Sequence, residues 1–158
     1  MDLLFFFEWL DTSFLASMSK AHGGVFAVVQ MFHLAAMAVM GGMVLVSDLR
    51  LLNVLMKTVP SDVVCENTNR GFDLGLVVMV LSGIFMSSAV AMKLYYNEMF
   101  WAKMVALAVG VLFVYLIRRP LLRHAHTTLS KWTVRSVAVS SLIVWFTVAA
   151  CGRWIGFS

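Results

Sequence analysis

Charge is what this sequence has least of. Only 13% of its residues are charged and 61% are hydrophobic, whereas soluble domains carry roughly 25% charged residues. A soluble fold of 158 residues has too little interior to hide so many apolar side chains, so the expected solvent is a lipid bilayer. Within the apolar runs no acidic or basic residue falls near the middle, which argues against a proton or ion pump. Cysteine is nearly absent as well. Cys65 and Cys151 are expected near opposite faces of a membrane, too far apart to bridge. The two prolines, Pro60 and Pro120, are expected in loops, where a missing N–H does no harm.

Other absences remove whole classes of function. There is no P-loop, no glycine-rich dinucleotide fingerprint, no CxxC or CxxCH and no HExxH, so the common nucleotide, redox-thiol and zinc-protease signatures are missing. The N-terminus lacks a basic n-region and opens with Asp2, Glu8 and Asp11, so no cleavable signal peptide is expected. A net charge of +4 and a pI near 9.4 would suit a nucleic-acid binder, but the basic residues cluster beside apolar runs. There they orient a membrane protein, and no nucleic-acid partner is expected.

What is present are four apolar runs, roughly Gly23–Val46, Leu74–Met92, Trp101–Ile117 and Val134–Ala150. Each has about 17 to 24 residues, the length a spanning helix needs. Residues 2 to 20 place Leu3, Phe7, Leu10 and Phe14 at helical spacing, the pattern of an amphipathic helix lying in the interface. The expectation is a single domain over residues 1–158, an all-α integral membrane bundle of four spans with an interfacial N-terminal helix. Arg50, Lys57, Arg70, Arg118, Arg119, Arg123, Lys131 and Arg135 fall on one side and Lys20, Lys93, Lys103 and Arg153 on the other. The positive-inside rule then puts both termini outside.

The ends of the first two spans carry Asp48, Arg50, Arg70 and Asp73. Cross-helix pairs among them, such as Asp48 with Arg70, are expected to lock helix register. Small residues recur at Gly41, Gly42, Gly71, Gly75, Gly83, Ser87 and Ser88, and Gly71-x-x-x-Gly75 has the spacing that lets membrane helices approach closely.

His33 is the candidate for chemistry, because hydrocarbon offers an imidazole no hydrogen-bond partner. At a rise of about 1.5 Å per residue it lies roughly 3 Å from the bilayer centre, and His22 about 20 Å from it. His22, Gln30, His33, Met37, Gly41, Val44 and Asp48 read as one polar, close-packing stripe. With no second histidine at its depth, a haem held by His33 needs a methionine, Met86 or Met104, or the His33 of a second protomer. The alternative is a hydrogen bond to Ser82, Ser87 or Thr147. His124 and His126 form a weaker candidate metal site. The twelve methionines also suit Cu(I), although methionine at helical spacing usually packs.

Phe32-His33-Leu34, Gly41-Gly42 and Asp48-Leu49-Arg50-Leu51-Leu52, followed by Asn97-Glu98-Met99-Phe100 and Lys103, resemble a bacterial inner-membrane family of unknown function. The resemblance covers roughly Trp9 to Ile117. It implies a four-helix membrane fold and points to His33, Asp48 and Arg50 without supplying an activity. A looser likeness connects such bundles to copper-resistance membrane domains and b-type cytochromes, from which this chain departs in lacking a second intramembrane histidine. The expected function is a membrane-embedded haem- or metal-binding redox protein with His33 as axial ligand, haem b ahead of copper. The alternatives are a non-catalytic subunit of a membrane complex or a homo-oligomer, and then a small-molecule or metal-ion transporter.

Overall fold

A computed structural model describes residues 3–123 and 130–155. Among them there are helices and no strand. Four helices are long and apolar enough to cross a membrane: Gly23–Leu51, Ser61–Ala89, Glu98–Leu122 and Lys131–Trp154, with mean hydropathy of 1.8, 1.8, 2.2 and 1.8. The chain is a multi-pass membrane protein of the all-α class.

The N-terminal segment is two helices rather than one. Helix α1 spans Leu4–Asp11 and α2 spans Phe14–Ala21. The break is local chemistry. The Thr12 hydroxyl turns back to the Glu8 and Trp9 carbonyls at 3.1 Å each, and Ser13 caps α2 by accepting from the Ala16 N–H. Helix α2 packs on the second long helix, with Ala16 and Ser19 buried.

Helix α3 spans Gly23–Leu51 and α4 spans Ser61–Ala89. Both extend past the apolar runs. At about 1.5 Å per residue, 29 residues exceed a hydrocarbon core of about 30 Å, so polar turns continue each helix into the headgroup level. Helix α3 stops where Asn53 takes a left-handed φ of 61°. Its N–H reaches the Arg50 carbonyl at 3.0 Å and the Val54 N–H reaches Leu49 at 2.9 Å, closing the last turn in the way an asparagine without glycine's freedom still permits. A short α5 (Ala91–Tyr95) leads to α6 (Glu98–Leu112), capped by Asn97. A π turn over Phe113–Arg118 follows, then α7 (Arg119–Arg123), and after the undescribed residues α8 (Lys131–Trp154).

Pro120 corrects one expectation. It lies inside helix α7, not in a loop. Proline has no N–H and its ring crowds the carbonyl four residues earlier, here Leu116 within the π turn. The wider turn relieves that crowding, and such bulges are common where a helix absorbs this kind of insult.

Helices α3 and α4 form one antiparallel pair and α6 and α8 the other, joined by contact between α3 and α8. Of the four sides of the bundle, the one between α4 and α6 has the least contact. The axis is filled by Ala36, Met40, Val44, Phe72, Met79, Val114, Trp145 and Val148, with Phe72 and Trp145 edge to face at 5.3 Å. A second cluster, Phe7, Leu10, Ala91 and Phe100, ties α1 to the end of the bundle near both termini. That end is called here the terminal end, and the opposite one, rich in arginine, the basic end.

The packing face of α3 differs from the expected stripe. Ala36, Met40 and Ser47 are buried, whereas Gln30, Met37 and Gly41 are exposed. Val44 and Asp48 of that stripe are buried as well, so it packs only toward the end of α3 that carries Asp48. Glycine use follows the same division. A Cβ on Gly75 would meet Met40 Cβ at 3.0 Å and the Ala36 carbonyl at 3.2 Å, but a Cβ on Gly41 or Gly42 meets nothing within 4 Å. Gly75 is therefore the close approach of α3 and α4.

Gly75→Ala is expected to destabilise the bundle by about 1–3 kcal/mol through overpacking. Gly41→Ala should leave its stability unchanged or raise it by up to about 1 kcal/mol through helix propensity. Reversible unfolding in mixed detergent micelles checks both.

Candidate functional site

Polar side chains inside the bundle gather at two levels. At the basic end, Arg118 donates from Nη2 to Asp48 Oδ1 at 2.8 Å and from Nε to the same oxygen at 3.3 Å. It also donates to the Ser47 hydroxyl. The side chains are 5% and 0% exposed. Cys65 Sγ lies 3.7 Å from Ser47 Oγ, and the Ser141 side chain acts on the Asp48 carboxylate from outside strict hydrogen-bond geometry. Helices α3, α4 and α8 and the π turn thus each contribute a polar group to one buried cluster. A charge here without its partner would carry the desolvation penalty of several kcal/mol uncompensated.

One residue further on, Arg119 donates to Asp73 Oδ1 at 2.5 Å and to the Asn69 carbonyl at 3.3 Å. Its guanidinium stacks 4.3 Å from the centre of the Tyr115 ring, whose hydroxyl donates to the same Asp73 oxygen at 2.5 Å. Consecutive arginines so address two different helices, Arg118 reaching α3 and Arg119 reaching α4, from the turn that Pro120 widens. The cavity beside Arg118, with a volume of about 10 Å³, has room for one water. This end is a clasp.

The expected ion-pair residues are only partly used as foreseen. Asp48 and Asp73 do enter cross-helix pairs, but the partner of Asp48 is Arg118 and not Arg70. Arg70 is exposed beside Glu66 at 3.9 Å, and Arg50 donates to the Val59 carbonyl at 2.7 Å and to Asn53. The missed signal was the run Arg118-Arg119-Pro120 closing an apolar span. It reads as a loop until proline is allowed inside the helix.

At the second level, nearer the terminal end, His33 Nδ1 lies 2.9 Å from Ser82 Oγ. The Ser82 hydroxyl has one hydrogen, and it is directed at the Val78 carbonyl 2.6 Å away, with Met79's carbonyl at 3.2 Å. With that hydrogen on the Val78 carbonyl, Ser82 accepts from an Nδ1–H, the tautomer in which the neutral ring keeps its Nε2 lone pair. A Cβ at Gly83 would meet His33 Cε1 at 3.4 Å, an ordinary contact. Of the three hydrogen-bond partners foreseen, Ser82 is the one found, and Thr147 instead donates to the Ile143 carbonyl.

The other candidates scatter. His22 is exposed where α2 passes into α3, three turns from His33. Met86 is half-buried one turn beyond Ser82, and Met104 packs on the aromatic cluster at the terminal end. His124 and His126 lie outside the described residues. Among the described residues no three His, Cys, Asp or Glu side chains gather where they could hold a metal ion. Lys103 is half-buried with its side chain along Gly152, Nζ 3.7 Å from where a Cβ would stand, and near enough for its charge to act on His33.

With a four-helix membrane bundle and these two levels established, comparison with known proteins is informative in one respect. A family model, described as a family of unknown function (DUF6644), matches residues 6–158. The chain belongs to this family. Neither a curated protein nor a solved structure matches it. The match runs past Ile117 through the fourth span, so Arg118, Arg119 and Ser141 fall within the family region.

Removing one partner of the buried pair, by Asp48→Asn or Arg118→Met, is expected to cost roughly 3–5 kcal/mol. The double variant should recover a large part of that loss, and Arg70→Ala should change stability by less than about 0.5 kcal/mol. Unfolding of the wild type and these four variants in the same detergent checks this, with the wild type, the two single variants and the double variant analysed as a double-mutant cycle.

Proposed function

We propose that the protein is a membrane-embedded haem- or metal-binding redox protein in which His33 Nε2 is an axial ligand. The observation that carries this reading is the hydrogen bond between His33 Nδ1 and Ser82. Ligating histidines almost always donate their other ring N–H to a fixed acceptor, which sets tautomer and ring orientation and raises ligand basicity. Here the acceptor is a hydroxyl whose own hydrogen is already committed to Val78.

Met86 is the second ligand this reading names. It sits four residues beyond Ser82, the spacing of side chains that share a helix face, and a thioether with an imidazole is an established haem pair. A planar cofactor enters most readily along the loosely packed side between α4 and α6. Haem b supplies one-electron transfer, and copper(I) is the lesser alternative for the same donors. The chain's contribution is to hold one nitrogen, one sulfur and a dry environment in place. The charge distribution along the sequence supports an inner bacterial membrane with both termini outside.

A second reading, an accessory subunit or homo-oligomer, has its own support. Gln30, Gly41 and Gly42 are exposed on α3, and a Cβ on either glycine would meet nothing within 4 Å among the described residues. Small residues and an amide on a lipid-facing helix are what another membrane helix packs against.

The test is an absorption spectrum of the detergent-purified chain with metal analysis, before and after haemin is added. A Soret band is expected in the wild type and lost in His33→Ala. Ser82→Ala should keep the band and weaken binding by roughly 10–100-fold. A colourless, metal-free and well-folded sample that stays so after haemin addition would sink the redox reading and leave the accessory one.

A further inference from the structure

After Glu98 the chain contains no aspartate or glutamate. The basic residues of its second half must therefore find acids elsewhere. Arg118 and Arg119 take theirs from the first two spans, Asp48 on α3 and Asp73 on α4. Of the other two acids at the basic end, Glu66 faces Arg70 on its own helix at 3.9 Å and Asp62 lies in the first turn of α4, whereas α8 packs on α3 and α6. Lys131 and Arg135, in the first two turns of α8, are exposed and make no ion pair among the described residues. Lysine and arginine balance aspartate and glutamate over the segments at the terminal end, so the net charge of +4 belongs to the basic end.

The same side of α8 carries more than charge. Trp132, Arg135, Val139, Ile143, Phe146 and Ala150 follow one another at intervals of three or four residues, the spacing of one helix face, and all are exposed. Trp132 is 76% exposed, and the Arg135 guanidinium lies 5.8 Å from the centre of its ring. The charge is thus held beside an aromatic that favours the headgroup level. Phe146 follows Arg135 by eleven residues, about 16 Å of helix and so about half of a hydrocarbon core of roughly 30 Å. A shallow groove beside Ile143, Phe146 and Ala150 lies where an acyl chain of that leaflet ends. Positive charge at the rim, with one leaflet's depth of apolar surface below it, matches an amphiphile with an acidic head. An acidic protein segment would match the rim alone.

We propose that this face of α8 binds a phospholipid with an anionic headgroup, in the leaflet at the basic end. Lys131 and Arg135 hold the phosphate oxygens, and Val139, Ile143 and Phe146 take the acyl chains. Every phospholipid has a phosphate, but a zwitterionic head brings its own ammonium to neutralise it. An anionic head leaves that charge to the protein, and here the protein supplies two cations with no acid of their own. The site does not rest on the ligand reading of His33, which belongs to the other half of the bundle.

The test is tryptophan quenching in the full chain, reconstituted in phosphatidylcholine vesicles that contain a minor share of one brominated lipid. That lipid is phosphatidylglycerol in one series and phosphatidylcholine in the other. The difference between each protein and the same protein with Trp132→Phe reports the lipid beside Trp132 alone. Brominated phosphatidylglycerol is expected to quench Trp132 at a much lower share than brominated phosphatidylcholine. Lys131→Gln and Arg135→Gln should each lower that preference about fivefold, and Arg135→Lys should keep it. Lys93 is exposed at the terminal end, and Lys93→Gln should leave the preference unchanged. Equal quenching by both lipids in the wild type would overturn the proposal without need of a charge variant, and would leave the two cations to an acidic segment of another protein. A preference that persists undiminished when both are glutamine overturns it as well, because the charge then acts from elsewhere on the basic end.

Discussion

The buried pair of Asp48 and Arg118 is the interaction on which the rest of the bundle depends. Lipid provides no hydrophobic driving force between helices, because its tails are as apolar as leucine. Association must come from close packing and from polar groups that have nowhere else to go. At the basic end these polar groups are concentrated in one cluster fed by α3, α4, α8 and the π turn. Neither charge tolerates burial alone, so helix register is set where the two meet. Arg119 with Asp73 and Tyr115 repeats the arrangement toward α4. Between them, the consecutive arginines fix the third span against both helices of the first pair.

That rigidity gives the terminal half its meaning. Charge is paired inside the basic end, whereas in the terminal half His33 meets Ser82 and Lys103 has no ion pair among the described residues. Close contact between α3 and α4 at Gly75 holds His33 against Ser82 and Gly83. The contact of α6 with α8 holds Lys103 against Gly152. His33 and Lys103 therefore sit on separate helix pairs.

Much of the fold was legible because a spanning helix is a compositional object. Around twenty apolar residues with no charge read the same way whatever their neighbours do. The ends were harder. Helix α4 begins at Ser61, well before the apolar run, because hydrogen bonding continues the helix after hydrophobicity stops, and polar residues such as Glu66 and Arg70 simply face outward. Pro120 shows the same limit from the other side. Proline in a sequence reads as a break, and only a local widening of the turn lets the helix pass through it. His33 was found by depth and rarity, and Ser82 was among the partners foreseen. Lys103 was visible in the resemblance, but nothing in its spacing pointed to His33.

By itself the sequence determined the solvent, the class of fold and the identity of the one histidine in hydrocarbon, since each follows from transfer energies that act residue by residue. Tertiary structure alone decided which charges meet. Asp48 and Arg70 are close in the chain, yet Asp48 pairs with Arg118, seventy residues away. The angular position of each residue on its helix, and the angle at which helices pass, depend on the packing of all four together. The partner of His33 was decided at the same level, because Ser82 lies on a different helix, 49 residues along the chain.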